Sequence, residues 1–202
     1  MPQVIVSDTL LRVHRVQAIT VAWMSIEAVV SLYAAWRAKS PALLAFGGDS
    51  AIELLSAVVV LWRFRTNVAQ ENVERKAAQL AGILLFALAA CVVATSVTVL
   101  LGYSEPKPTL LGIVIMVAAA IGMPLLAKEK RQLSTLTDSG ALRADAAESA
   151  LCGYLSLIAL AGLVVNAIWQ VAAADSFAAI AIIPLIVWEG REALRGKVCG
   201  CS

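Results

Sequence analysis

The chain has 202 residues, 60% of them hydrophobic and 15% charged, with a net charge of +2 and a mean hydropathy of +0.84. A water-soluble domain of this size cannot cover so much apolar surface, so several bilayer spans are expected. No basic run with interleaved aromatics suggests nucleic acid, and the four cysteines form no disulfide framework, two lying in apolar runs (Cys91, Cys152) and two in a tail Cys-x-Cys (Cys199, Cys201).

Met1 to Arg15 is short and mixed, without the apolar region or small-residue cleavage site of a signal peptide. Its His14, the single histidine, is read as a solvated residue beside the first span in preference to a metal contact. The first span covers about Val16 to Trp36 and carries one charge, Glu27. A carboxylate at mid-bilayer costs about 2.5 to 3.5 kcal/mol, so Glu27 is expected to face the bundle interior or a cavity, as an auxiliary site or a structural hydrogen-bonding group. After a tight turn at Arg37 to Ser40, the second span runs from about Ala42 to Trp62, with Gly47 and Gly48 allowing close helix packing just before Asp49.

Arg63 to Lys76 is a polar connection, and Ala77 to Ser104 has no charge at all, which suits a tilted third span in which Cys91 is a small packing residue. Tyr103 to Pro108 turns the chain into a fourth span, about Thr109 to Ala127, with Pro124 near its end. Lys128 to Arg143 reads as a basic loop. The fifth span then continues to about Trp169, Val171 to Asp175 turns the chain, and the sixth span runs from Ser176 to about Leu194, with Glu189, Arg191 and Arg195 marking its exit. Asp175 is read as an N-cap or dipole partner for that last span. No soluble domain is expected to follow.

In this arrangement thirteen of the sixteen Lys and Arg residues fall on one side, leaving Arg37, Lys39 and Lys107 on the other. The expectation is therefore an all-α, polytopic membrane protein of six transmembrane helices with both termini cytoplasmic. It divides into an N-terminal segment (1–15), a six-helix transporter domain (16–195) and a short Cys-containing cytoplasmic tail (196–202).

Two pairs of potential ligands interrupt the apolar runs at the same spacing: the carboxylates Asp49 and Glu53 in the second span, and Glu148 with the thiol of Cys152 in the fifth. Residues four apart stack on one helix face. Spans two and five are antiparallel in this topology, so the two faces are expected to oppose each other and make one four-ligand metal site. Counting residues from the expected span ends leaves the pairs offset by roughly 6 to 9 Å. The competing reading is that all four are buried polar groups tying helices together. For Asp145, helix-entry capping or a cation-entry role is preferred to direct ligation.

The stretch Pro-Ala-Leu-Leu-Ala-Phe-Gly-Gly-Asp-Ser-Ala-Ile-Glu, ending at Glu53, resembles the second-helix motif of the cation diffusion facilitator (cation efflux) family. Ala-Leu-Arg-Ala-Asp-Ala-Ala-Glu-Ser-Ala-Leu-Cys, ending at Cys152, resembles its fifth-helix motif, and Ala-Asp-Ser-Phe-Ala-Ala-Ile-Ala its entry to the sixth helix. The resemblance spans about Val16 to Arg195 and has the form of the transmembrane domain alone, without the cytoplasmic ferredoxin-like domain of most members. It implies a dimeric, proton-coupled exporter of divalent metals such as zinc, in which Asp49, Glu53, Glu148 and Cys152 take the ligand places. Two of those places carry Glu and one Cys where relatives have Asp or His.

Chemically, three carboxylates in a low-dielectric bundle repel one another and hold protons until a divalent cation displaces them, which links metal binding to proton release. Four ligands suit tetrahedral Zn²⁺, and a thiolate favours Zn²⁺, Cd²⁺ or another soft ion over Mg²⁺, Ca²⁺ or Mn²⁺. The expected partners are metal cations, protons, the lipid bilayer and a second copy of the chain, with no prosthetic group. The expected location is a bacterial plasma (inner) membrane. No Ser/His or Cys/His arrangement lies within the spans, so no enzyme activity is expected. The alternative from another class is a metal-binding membrane protein that modulates a pump without transporting.

Overall fold

An apolar segment in a bilayer must satisfy every backbone N–H and C=O within itself, so runs of this length fold as helices. The computed structural model describes residues 2–66, 71–107, 109–137 and 140–195. Its elements are α1 (Pro2–Ala38), α2 (Pro41–Thr66), α3 (Glu71–Leu100), α4 (Leu110–Thr137), α5 (Gly140–Trp169) and α6 (Ala172–Leu194), with no strand among the described residues. All of these but α2 contain a described stretch long and apolar enough to cross a membrane. The protein is an integral, multi-pass membrane protein.

Most helices outrun their expected limits: α2 to Thr66 and α3 from Glu71 take up most of the expected connection Arg63 to Lys76, and α1 and α4 extend furthest. α1 begins at Pro2, well before Val16, and α4 continues past Ala127 to Thr137, so most of the expected basic loop from Lys128 is helical. The reason lies in side-chain periodicity: Met123, Ala127, Lys130, Leu133 and Ser134 recur at helical spacing and are all buried. Val16 of α1 and Leu142 of α5 pack with Leu133 in this extension. An ion pair from Arg12 to Glu129, at 2.6 Å, ties the early part of α1 to the same stretch of α4. The Cys199/Cys201 tail lies outside the described residues.

The opposite end of the bundle is set by the α1–α2 turn. Lys39 takes a left-handed φ of 54°, which reverses the chain into Ser40. Ser40 Oγ accepts a hydrogen bond from the Leu43 amide and so caps α2. The same hydroxyl donates to Asp175 of α6 at 2.7 Å, and Asp175 also accepts from the Ala42 amide at 3.3 Å. Asp175 does sit in the first turn of α6, where its charge suits the helix dipole, but its side chain caps α2; the α6 N-cap, Val171, makes no side-chain cap.

α2 is the hub, packing against α1, α3, α5 and α6, while α4 lies against α5 and α1. Small residues let the backbones approach. A Cβ added at Gly47 would lie 2.9 Å from Ser31 Cβ of α1, and one at Gly82 of α3 would lie 2.8 Å from the Gly190 carbonyl of α6. Between these contacts the core is apolar, with Phe46, Met116, Met123, Leu155, Ile182 and Ile186 buried together. Cys91, expected as a buried packing residue, instead lies exposed on α3.

Candidate metal centre

Asp49 and Glu53 stand one turn apart on α2, as their spacing requires. Asp49 is 1% exposed. One carboxylate oxygen from each lies within 4.8 Å of one from Glu189 of α6, so the three form a cluster. Register explains how Glu189 arrives there. α2 and α6 run parallel from the Ser40–Asp175 contact, and Glu189 lies about 21 Å down its axis where Glu53 lies about 16 Å down from Ala42. The offset is under one helical turn, within the reach of a glutamate side chain.

No protein donor reaches either oxygen of Asp49, nor Glu53 Oε1 or Glu189 Oε2. Bare, buried carboxylate oxygens are costly and in native structures are met by a proton, a cation or water. None of the three is ion-paired with a described basic residue.

A second polar cluster adjoins the first. Glu27 on α1 is fully buried, accepts a hydrogen bond from Trp23 Nε1, and faces Cys152 of α5, whose Sγ lies 4.0 Å from Glu27 Oε2. Cys152 also meets Ser50 of α2 and lies close to Glu53 and Asp49. Glu27 therefore faces the bundle interior as its cost in lipid demands.

The four sequence-predicted ligands are thus brought together unequally. Asp49 and Glu53 share a cluster, and Cys152 is buried beside it. Glu148 is exposed, one turn or about 6 Å further toward the start of α5. Its charged neighbours are Asp145, Glu189 and Lys130, and it lies near enough to Asp49 and Glu53 to act on both electrostatically.

Two participants escape the sequence reading. Glu189 looks like a span-exit marker beside Arg191, yet Ile182, Ile186 and Glu189 fall at i, i+4 and i+7, a spacing that puts it on the buried face. Lys130 looks like a loop charge, yet it is 0% exposed. Its ammonium donates to Asp145 Oδ1 and to Ser149 Oγ, both at 2.8 Å, and Asp145 Oδ2 accepts from Gln17 Nε2 of α1 at 2.6 Å. Asp145 lies beyond the first turn of α5 and does not cap it; it joins α1, α4 and α5 below the carboxylate cluster.

A family model described as the cation efflux transmembrane domain matches residues 18–198. The chain belongs to the cation efflux family. No curated protein matches it. Cation efflux proteins are metal-ion transporters and not enzymes, which agrees in kind with a buried carboxylate cluster among membrane-length helices. In this cation efflux protein the matched region covers the second half of α1 and every residue of the two polar clusters.

Proposed function

We propose that the protein is an exporter of a zinc-like divalent cation, working by metal/proton antiport across a bacterial inner membrane. Six spans with both termini cytoplasmic form its transport domain (16–195), and two copies form a dimer. The ion is held at Asp49 and Glu53 of α2, with Cys152 and Glu148 of α5 completing the site as the helices move. One observation carries this reading: Asp49 is buried to 1% with both oxygens bare, on a helix that touches four others.

Crowded carboxylates in a low-dielectric site hold protons when no cation is present, and a divalent ion displaces them. A site that opens alternately to the two sides then exchanges one for the other. The thiol of Cys152, beside Glu53, favours Zn²⁺ or Cd²⁺ when it ligates. Calorimetry of Zn²⁺ binding to the purified chain, in buffers of differing ionisation enthalpy, tests the link. The expected result is proton release on binding, with affinity rising between about pH 5.5 and 7.5. Binding without proton release anywhere in that range would contradict it.

A further inference from the structure

We propose that Glu189 of α6 is a direct ligand of the cation, so that α2 and α6 together form an all-carboxylate station separate from the thiol of Cys152. The proposal rests on the cation-transport reading of Asp49 and Glu53 and adds to it a third helix and a ligand class. Glu189 offers an oxygen within 4.8 Å of Asp49 and Glu53, a separation that one ion of about 2.0 to 2.6 Å bond length can bridge. Asp49 is the independent sign that something belongs there: it is 1% exposed, aimed into the cluster, and without a donor on either oxygen.

The backbone around Glu189 is built for this approach. Gly190, its neighbour, lies against α3, where an added Cβ would sit 3.3 Å from both Leu85 and Phe86, and a Cβ at Gly82 would press on the Gly190 carbonyl. α3 thereby holds the end of α6 close, and Glu189 turns toward α2 while Glu192, one turn on, pairs with Arg195 at the exposed end. Cys152, close to Glu53 and Asp49 and in contact with Glu27, lies outside the three-carboxylate group. Three carboxylates without sulfur or imidazole make a hard site, which takes Mn²⁺ as well as Zn²⁺. The ion is then passed between an oxygen station on α2 and α6 and a sulfur-containing station on α2 and α5, with Glu53 common to both.

Equilibrium binding of Mn²⁺ and Zn²⁺ to the purified full chain tests this, using Asp49→Asn, Glu189→Gln, the double variant and Glu192→Gln. Each of the first two should weaken Mn²⁺ binding at least about tenfold, since even groups behind a ligand are worth 10- to 100-fold. The combined loss in the double variant should depart from the sum of the two single losses, because both act on one ion. Glu192→Gln should bind as the native chain does, and size-exclusion profiles show which variants remain folded. Should Glu189→Gln fail to fold, Glu189→Asp replaces it, and its shortened carboxylate should weaken Mn²⁺ binding while leaving the melting profile native. If Asp49→Asn weakens binding and the folded Glu189 variant does not, Glu189 is no ligand, and the transport reading stands without it. Additive losses in the double variant overturn the proposal in the same way. If neither substitution weakens binding, the cation reading of the cluster is itself wrong.

Discussion

Asp145→Asn takes from a buried ammonium its ion-pair partner, leaving Glu148 as a nearby but unbonded charge. Lys130 is wholly buried and its Nζ has two partners, Asp145 Oδ1 and Ser149 Oγ, each at 2.8 Å. Removing the carboxylate charge leaves a lysine hydrogen-bonded to neutral oxygens alone, and the loss should reach up to about 3 to 5 kcal/mol, the range for a buried charge deprived of its partner. The reverse substitution is milder. In Lys130→Met, Asp145 keeps its hydrogen bond from Gln17 and, at 28% exposure, part of its hydration, so the expected loss is about 1 to 3 kcal/mol. The Met side chain also fills the channel that the lysine stem occupied. Denaturant unfolding in detergent micelles measures the difference, and the double variant Lys130→Met/Asp145→Asn should be more stable than Asp145→Asn alone, because the stranded charge has gone. If Lys130→Met proves as damaging as Asp145→Asn, or the double variant proves worse than both, the ion pair is not what holds α4 to α5 here.

Gly82→Ala should cost about 1 to 3 kcal/mol in the same assay, because its Cβ would meet the Gly190 backbone oxygen at 2.8 Å. Cysteine labelling from outside, in a background without the native cysteines, should reach a probe at Lys107 and miss one at Arg131, both of which are exposed; the opposite pattern reverses the proposed orientation. Cys152→Ala should weaken Cd²⁺ binding more than Mn²⁺ binding, while Cys91→Ala, on the outer face of α3, should change neither.

The helices were legible because apolar length is a property of the chain alone: an uncharged run such as Ala77 to Ser104 has no other way to satisfy its backbone in lipid. Asp49 and Glu53 were legible for a related reason, since two carboxylates one turn apart in such a run must share a buried face. Glu189 and Lys130 were not, because their meaning depends on a partner helix. A charge near a helix end reads the same whether it snorkels to the interface or turns inward, and only the Gly82–Gly190 contact, for Glu189, and Asp145 opposite Lys130 decide the matter. Glu148 shows the converse. Its spacing from Cys152 puts both on one side of α5, but the axial offset of a full turn leaves Cys152 buried and Glu148 exposed, in the direction of the 6 to 9 Å misfit expected from residue counting.

The most direct measurement is Zn²⁺ flux into proteoliposomes that contain only this chain, with the interior made acidic. Zn²⁺ should accumulate as the internal pH rises, a protonophore should collapse the uptake, and Asp49→Asn, shown to be folded and inserted, should carry none. Native chain that moves no Zn²⁺, Cd²⁺, Mn²⁺, Fe²⁺ or Co²⁺ under that gradient, or Asp49→Asn that moves Zn²⁺ as fast as native, would contradict the proposed function.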